Sequence, residues 1–205
     1  MENSKEHWQK VYETKKPDEV SWTQVVPETS LAFIRSFQLP KPARIIDIGG
    51  GDSKLVDYLL EEGFEHITVL DISQEALTRA KNRLGANAKK ITWIAEDVRD
   101  FKPLGTFDLW HDRAAFHFLT DEADIAAYVR TLIDSLVPGG YLVMGTFAEN
   151  GPEKCSGLPV QRYSETSLAK RLGGGFQKIG CLHDNHITPF GTTQDFLFCS
   201  FQKTE

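Results

Sequence analysis

Residues 43–53, ARIIDIGGGDS, decide the fold of this 205-residue chain, because they read as a buried strand that ends in a glycine turn. The run is apolar, β-branched and too short for a helix. Gly49 and Gly51 allow the backbone to turn tightly and to approach a ligand closely, beside the free N–H groups of the following helix. The spacing lacks the third glycine of a dinucleotide-binding loop and the GK[ST] of a phosphate-binding loop, and Asp52 would repel a pyrophosphate. The loop therefore suits a ligand that is cationic or rich in hydroxyl and amino groups.

Strand and helix patterns alternate on the C-terminal side of this loop. Helices are predicted at 54–62, 74–84, 121–136 and 164–172, and strands at 43–48, 66–71, 91–95, 107–111, 141–147, 177–186 and 195–202. Short strand–helix connections predict a parallel sheet that is covered by helices on both faces. The last two strands lack room for a crossover helix, so we expect an antiparallel hairpin at the sheet edge. The expected fold is α/β, with a doubly wound, mostly parallel, seven-stranded sheet and a reversed last strand.

The first 40 residues have a different pattern. Two amphipathic helices are predicted at 5–14 and 28–37, with a loop between them that contains Trp22. We therefore divide the chain into an N-terminal helical cap or lid, residues 1–40, and a main domain, residues 41–205. A VPGG turn at 137–140 leads into the fifth strand, and a long loop rich in glycine and proline, 149–163, follows that strand. Loops of this length are uncommon without a function, and we expect this one to border the site.

Composition excludes several classes of protein. Hydrophobic residues make up 40% of the chain and charged residues 25%, which excludes global disorder, and the net charge of −6 disfavours nucleic acid as a partner. No apolar run approaches the ~20 residues of a membrane span, and the polar first ten residues do not resemble a secretory signal. The three cysteines form no CxxC pair, which argues for a reducing compartment and against a disulfide framework or a zinc site. We expect a cytoplasmic monomer or weak dimer without a metal.

Polar residues follow the ends of the other predicted strands of the parallel sheet. Asp71 ends the second strand, where a carboxylate can accept hydrogen bonds from both hydroxyl groups of a ribose. It could instead cap the next helix, although Ser73 is better placed for that role. Asp97 and Val98 follow the third strand, where a carboxylate and a free backbone N–H can bind the amino group and a ring nitrogen of adenine. Residues 111–112, His-Asp, end the fourth strand, so the joint pattern predicts a nucleoside site at this edge of the sheet.

In these motifs the chain resembles the class I S-adenosylmethionine-dependent methyltransferases over residues 43–202, including the reversed last strand. DIGGGDS resembles the D/E-x-G-x-G-x-G loop of that family, with Ser53 in place of the last glycine. The resemblance implies a Rossmann-like methyltransferase fold, S-adenosylmethionine as cofactor and S-adenosylhomocysteine as product. The cofactor-binding residues that it implies are Trp22, Asp47, Gly49, Gly50, Gly51, Asp71, Ile72, Asp97, Val98, His111 and Asp112.

Three further segments resemble the methyltransferase type 11/12 group and the small lysine methyltransferases: HWQKVY (7–12), FDLWHDRAAFHFL (107–119) and HITPFGTTQDFLF (186–198). In those proteins an aromatic N-terminal segment folds over the cofactor. Trp8, Tyr12 and Trp22 are the candidates for such a lid here, and a buried helix-packing cluster is the alternative.

The methyl acceptor is left open by the sequence. His117 is a candidate general base with Arg113 beside it, although His117 could equally be a half-exposed histidine of a helix. Phe116, His186 and Gln194 are candidates for substrate binding. The expected reaction moves a methyl group to a nitrogen, sulfur or oxygen atom on a small molecule or a protein side chain. The alternatives are a catalytically silent nucleoside- or cofactor-binding module and an NAD(P)-dependent oxidoreductase, which the acidic loop opposes.

Overall fold

The computed structural model describes residues 4–204, in which the chain forms six α-helices and nine β-strands. The helices are α1 (Ser4–Thr14), α2 (Glu28–Ser36), α3 (Leu55–Glu61), α4 (Gln74–Leu84), α5 (Glu122–Ser135) and α6 (Glu165–Leu172). The strands are β1 (Arg44–Ile48), β2 (His66–Asp71), β3 (Ile91–Ala95), β4 (Phe107–Arg113), β5 (Leu136–Phe147), β6 (Lys154–Cys155), β7 (Leu158–Pro159), β8 (Phe176–Ile187) and β9 (Thr193–Lys203). Short 3-10 helices lie at Pro17–Glu19, Gly85–Lys90 and Phe116–Phe118.

Seven strands form one sheet in the order β3-β2-β1-β4-β5-β9-β8, and β6 pairs with β7 in a separate small ladder. Strands β1 to β5 are parallel, which confirms the predicted doubly wound, mostly parallel sheet. The antiparallel hairpin of β8 and β9 also forms, but β9 lies between β5 and β8, so the reversed strand is one position inside the edge. The VPGG segment at 137–140 lies within β5 at the point where its pairing with β4 shifts register, and Gly139 there has a φ of +75°.

Local capping sets the turn between β2 and α4, which carries one of the predicted site residues. The Ser73 hydroxyl accepts a hydrogen bond from the Ala76 N–H at 3.2 Å, so Ser73 is the N-cap of α4 as predicted. Gly85 ends the helix with a φ of +56°, a conformation that glycine adopts without a steric penalty. Both ends of α4 are therefore marked by residues that can be recognised in the sequence.

The core lies on both faces of the sheet, because successive residues of a strand point in opposite directions. In β4, Trp110 packs in one cluster with Tyr128 of α5, whereas Leu109 packs in the other cluster with Leu31 of α2 and Leu59 of α3. The N-terminal segment thus contributes to the same core as the sheet. Its two helices lie where they were predicted, while the division of the chain into a cap and a domain stays a prediction.

The cysteines differ from the expectation. Cys181 on β8 lies opposite Cys199 on β9 and forms a disulfide with it, and Cys155 is free and buried. The prediction against a disulfide was wrong because the register of the hairpin, which places the two side by side, cannot be seen in their sequence spacing. The cytoplasmic location, for which the cysteines were an argument, stays a prediction. Among the helices of residues 4–204, none is both long and apolar enough to span a membrane.

Candidate active site

A cavity of about 1090 Å³ lies at the carboxyl ends of β1 to β4. Pockets for small ligands usually measure about 300–1,000 Å³, so this one has room for more than one small molecule. Its lining includes Trp8, Tyr12, Trp22 and Ser30 from the N-terminal segment, Asp47, Gly49 and Gly50 around the glycine loop, Asp71, Ile72, Asp97, Val98, His111 and Arg113 at the strand ends, and Cys155, Leu158 and Pro159 from the β6–β7 ladder. Residues 4–204 contain no group of three His, Cys, Asp or Glu side chains that could hold a metal.

The glycine loop forms one wall of the cavity and has no space for side chains. Gly49 and Gly51 have φ values of +60° and +51°. A Cβ at Gly49 would lie 2.6 Å from the Cβ of Ala115, and one at Gly51 would lie 2.6 Å from the Tyr12 hydroxyl. Arg83 of α4 holds the loop from outside by donating to the carbonyls of residues 52 and 53 at 2.6 and 2.7 Å. The loop is therefore a rigid cradle that only glycine can form.

Asp71 lies at the end of β2 with its carboxylate buried in the cavity wall. One carboxylate oxygen accepts a hydrogen bond from the Ser73 N–H at 2.7 Å. Burial raises the pKa of Asp71 to about 7, and the nearby carboxylates of Asp52 and Asp47 add to the shift. A group that supplies hydroxyl donors to Asp71 would favour its charged form.

Asp97 is held in a fixed orientation by an arginine two residues further on. Arg99 donates from Nη2 and Nε to the two carboxylate oxygens at 2.6 and 2.9 Å, and its Nη1 binds Asp124 of α5 at 2.6 Å. Burial opposes ionisation, but the hydrogen bonds and charge of Arg99 outweigh it and lower the pKa of Asp97. Asp97 is therefore a fixed anion in the lining, next to Val98, and its predicted role toward adenine stays a prediction.

A hydrogen-bonded chain of three side chains crosses the centre of the site. Strand pairing places His111 of β4 opposite Asp47 of β1, and the Nδ1 atom of His111 lies 2.7 Å from Asp47 Oδ1. The other ring nitrogen, Nε2, lies 2.8 Å from the hydroxyl of Ser30 on α2. All three side chains are buried and line the cavity. They join the N-terminal segment to the two central strands.

The N-terminal segment forms the roof of the cavity. Gln9 of α1 accepts hydrogen bonds from the hydroxyl of residue 73 and the N–H of residue 75 at the start of α4, each at 3.2 Å. Arg79 of α4 donates to the Tyr12 carbonyl. The Trp8 ring packs edge-on against Trp22 and Phe118, with centroids 5.7 and 4.9 Å apart. The three aromatic residues predicted for the lid therefore lie together above the glycine loop.

Arg113 and His186 hold this roof in place. Arg113 Nη1 donates to the Trp22 carbonyl at 2.9 Å, and His186 Nε2 donates to the Ser21 carbonyl at 2.6 Å. The Arg113 guanidinium lies over the Phe196 ring, and burial lowers its pKa to about 10, so it stays charged at neutral pH. Arg113 lines the cavity, whereas His186 does not. The predicted substrate contact of His186 is contradicted: it binds the backbone of the roof.

The structure contradicts the prediction that His117 is a general base. The side chain is fully buried outside the cavity lining, and its Nδ1 accepts a hydrogen bond from the Phe147 N–H at 3.2 Å. The ring packs between Phe118 and Phe147. Burial, with a smaller effect of the Arg113 charge, lowers the pKa of His117 to about 3. The sequence placed this residue on a half-exposed surface, but the turn after β4 points it into the core.

Four other predicted site residues also lie outside the cavity lining, and one of them is Gly51 of the glycine loop. Asp112 is buried beneath β4, where it accepts hydrogen bonds from the Tyr128 hydroxyl at 2.6 Å and from the N–H groups of Ala115 and Phe116. Burial raises its pKa to about 6. Phe116 packs against Tyr128 in the core, and Gln194 lies on β9. Asp112 points away from the cavity because it alternates with residues 111 and 113 along the strand.

Four residues that shape the site were not found from the sequence: Ser30, Arg79, Arg83 and Arg99. Arg79 and Arg83 are four residues apart on the predicted helix that comes directly after Asp71, so their side chains share one face of that helix. This spacing could have indicated that both arginines lie near the site. Ser30 has only a weak one, as a small polar residue beside the apolar stripe of α2, and nothing in the sequence connects it to His111.

Known proteins resemble this chain in sequence and in fold. Residues 45–140 match a family model described as a methyltransferase domain. Nodulation protein S from Rhizobium tropici is 34% identical over 82 residues, which cover 40% of this chain and 34% of that protein. For the three relatives of that name, the match spans between 34% and 46% of their own length.

Two solved structures match over most of the chain. N-methyltransferase NodS from Bradyrhizobium japonicum WM9, in complex with S-adenosylhomocysteine, has a TM-score of 0.74 at 19% identity and covers 99% of this chain and 100% of its own. A 1,6-didemethyltoxoflavin-N1-methyltransferase from Burkholderia thailandensis, with 1,6-didemethyltoxoflavin and S-adenosylhomocysteine bound, has a TM-score of 0.70 at 19% identity and covers 98% and 84%. At these identities the likeness establishes a shared fold.

Proposed function

We propose that the chain is a class I S-adenosylmethionine-dependent methyltransferase, as the methyltransferase-domain match over residues 45–140 supports, and that it transfers a methyl group from S-adenosylmethionine to a nitrogen, sulfur or oxygen atom of a small molecule. The observation that carries the proposal is the roofed cavity of about 1090 Å³ at the carboxyl ends of the central strands. It has the volume for a cofactor and an acceptor together, and the N-terminal segment covers it.

The cofactor fits the side of the cavity that faces β2 and β3. In this proposal the glycine loop holds the methionine part, Asp71 binds the ribose hydroxyls, and Asp97 with Val98 binds the adenine. Three observations support the fit. The glycine positions of the loop have no room for a side chain, and hydroxyl donors would offset the raised pKa of Asp71. Val98 supplies an apolar surface beside the fixed carboxylate of Asp97.

The acceptor then occupies the opposite side of β1, near β4. Ser30, Arg113, Cys155 and Leu158 line that part. The N-terminal segment covers it in part, which suits a reaction that depends on in-line positioning of the acceptor and exclusion of water. The electron-rich faces of the roof aromatics would attract a sulfonium by about 0.5–2 kcal/mol. A small molecule suits such a covered pocket better than a protein side chain, which needs an open channel.

The relatives support this choice of acceptor. The Burkholderia thailandensis methyltransferase holds a small heteroaromatic molecule together with S-adenosylhomocysteine in the same fold. The NodS structure from Bradyrhizobium japonicum is that of an N-methyltransferase with S-adenosylhomocysteine bound. Both chains are similar to this one along nearly its whole length.

Calorimetric titration with S-adenosylmethionine, S-adenosylhomocysteine and NADH tests the cofactor. We expect both adenosyl compounds to bind and NADH not to bind, and we expect Asp71→Ala to weaken that binding while the exposed Asp134→Ala does not. Binding of NADH alone would overturn the proposal in favour of an oxidoreductase.

Transfer of a radiolabelled methyl group tests the acceptor. Phenol, benzyl mercaptan and benzylamine serve as small probes, and a lysine-containing peptide serves as the protein-like probe. Labelling of a small probe supports the proposal. Labelling of the peptide alone would replace it with a protein acceptor, and binding of cofactor without labelling of any probe would favour a silent binding module.

A further inference from the structure

The contacts that the structure shows for Ser30, His111 and Asp47 are with one another, and the cofactor contacts implied above for Asp47 and His111 stay predictions. Its three members come from α2, β4 and β1, and two short contacts of 2.8 and 2.7 Å join them. Each residue lines the cavity although each is almost completely buried. Burying three polar side chains is costly unless all are paired, and here each has its partner.

The direction of the hydrogen bonds follows from the chemistry of the groups. A carboxylate can only accept, so the hydrogen between His111 and Asp47 belongs to Nδ1 of the ring. In a neutral imidazole Nε2 then has a free lone pair, which accepts the hydrogen of the Ser30 hydroxyl. The Ser30 oxygen is left with its own lone pairs to accept another proton. The same order of groups, serine, histidine and aspartate, occurs in hydrolytic enzymes, where the histidine removes the proton of the serine hydroxyl.

We propose that Ser30, His111 and Asp47 form a proton relay that removes the proton of the methyl acceptor, and that the acceptor atom therefore belongs to a hydroxyl, thiol or ammonium group. This inference rests on the proposed function and narrows its substrate class. The relay would act only on acceptors that lose a proton on methylation. Thioethers and tertiary amines lose none, so they would not need it.

The step balances as follows. The acceptor atom forms a bond to the methyl carbon, and the bond between that carbon and the donor sulfur breaks with its electron pair going to sulfur. The acceptor's proton passes to the Ser30 oxygen as the Ser30 hydrogen passes to Nε2 of His111. Asp47 balances the charge of the resulting imidazolium, and the proton leaves to solvent when the product departs.

Position supports the relay over the other proton acceptors near the acceptor end. His117 is buried with its Nδ1 in use, and His186 is committed to the backbone of the roof. The Cys155 thiol lines the cavity, but burial raises its pKa to about 11, which leaves it protonated at neutral pH. His111 lines the cavity, and its Nε2 atom contacts a hydroxyl, that of Ser30, which also lines the cavity.

The charges around His111 come from the elements packed against it. Asp47 of β1 contacts it directly, and Ser30 of α2 carries no charge. On β4 itself, Asp112 interacts electrostatically with His111 from the opposite face of the strand. Arg113 follows on β4, and its positive charge interacts with Asp47 and with Asp184 of β8. Two carboxylates and one guanidinium therefore lie around the His111 ring.

Nuclear magnetic resonance of ¹⁵N-histidine-labelled protein with S-adenosylhomocysteine bound tests the relay without any acceptor. We expect neutral His111 to carry its hydrogen on Nδ1, and the Nε2 signal to shift in Ser30→Ala but not in Ser36→Ala, an exposed serine of the same helix. A hydrogen on Nε2 would overturn the relay, because that nitrogen could not then accept from Ser30.

Kinetics with the probes named above, together with dimethyl sulfide, tests the chemistry. His111→Gln should lower kcat for phenol, benzyl mercaptan or benzylamine by about 100-fold or more, as loss of a general base does. With S-adenosylmethionine at saturation, kcat for dimethyl sulfide, which loses no proton, should fall at least tenfold less than kcat for these probes. The control is His66→Gln, an exposed histidine at the other end of the sheet.

The outcomes separate the two proposals. Failure of S-adenosylhomocysteine to bind the wild type contradicts the proposed function itself. An equal fall for dimethyl sulfide and the proton-bearing probes, or cofactor affinity lost together with kcat, contradicts the relay while the proposed function stands.

Discussion

Replacing Asp71 with asparagine should make the protein more stable and at the same time a poorer binder of its cofactor. The carboxylate is buried at the end of β2, and its pKa of about 7 lies about three units above the ordinary value of ~3.9. The substitution keeps the size of the side chain and an oxygen that can accept the Ser73 N–H, so the local turn is preserved. It removes the charge and replaces one carboxylate oxygen with an NH₂ group, so the hydrogen bond from the Gly51 N–H is lost as well.

The magnitude follows from linkage between folding and protonation. Because the folded state binds the Asp71 proton more tightly than the unfolded chain, stability falls as pH rises from about 4 to about 7 and then levels off. Three pKa units at 1.36 kcal/mol each give a cost of about 4 kcal/mol above pH 7, as an upper value. Asp71→Asn removes this cost. In the complex, the variant loses two charge-assisted hydrogen bonds to ribose, each worth about 1.5–3 kcal/mol, in exchange for weaker neutral ones.

The assay combines denaturant unfolding at pH 5 and pH 8 with calorimetric titration of S-adenosylhomocysteine. We expect Asp71→Asn to be more stable than the wild type at pH 8, to lose that advantage at pH 5, and to bind at least tenfold more weakly. Asp134→Asn, an exposed change of the same type, controls for net charge. Equal stability of variant and wild type at pH 8 would refute the assigned cost, and unchanged affinity in a folded variant would refute the ribose contact.

Three further changes test other parts of the site. Gly49→Ala should abolish binding of S-adenosylhomocysteine and lower the melting temperature, because its Cβ would lie 2.6 Å from that of Ala115 at a φ of +60°; normal binding by calorimetry would contradict the cradle. His117→Leu should lower the free energy of unfolding, measured with denaturant, by about 1–3 kcal/mol, because it leaves the Phe147 N–H unpaired. Cofactor affinity should stay within about twofold of the wild type. A large loss of affinity would indicate that His117 does contribute to the site. Trp22→Ala should speed release of S-adenosylhomocysteine in stopped-flow fluorescence by opening the roof, and an unchanged rate would contradict the lid.

The local pattern predicted most of the fold. Strands at 66–71 and 91–95 and the helix at 74–84 have the predicted bounds, since apolar runs, Ser73 and Gly85 mark their ends locally. The insertion of β9 between β5 and β8 depends on pairing between segments distant in sequence, and the disulfide depends on the register of the β8–β9 hairpin. No local pattern contains that information.

The candidate site was predictable at the strand ends and in the residues that directly follow β2 and β3, but not in the turn after β4. Asp71 and His111 line the cavity because the carboxyl ends of parallel strands meet there. Asp112 was assigned to the site although the period of two in a strand puts it on the other face from its neighbours. His117 and Phe116 lie in a 3-10 turn, whose direction is set by packing against α5 and β5.

The oxygen groups under the roof explain why this site should hold a hydroxyl-rich cofactor in preference to an anion. Asp52, Asp71 and the Tyr12 hydroxyl lie close together, and burial is the first cause of the raised pKa of each. Arg79 offsets part of that negative potential, because its Nη1 lies 3.8 Å from Oδ2 of Asp52. It also donates a hydrogen bond to the Tyr12 carbonyl of α1. The same arginine therefore neutralises the acids and anchors the helix that covers them. No cationic side chain contributes to the pKa shift of Asp71, which faces the cavity. A ligand that donates hydrogen bonds to Asp71 would therefore offset the free-energy cost of burying its charge in the ligand-free protein.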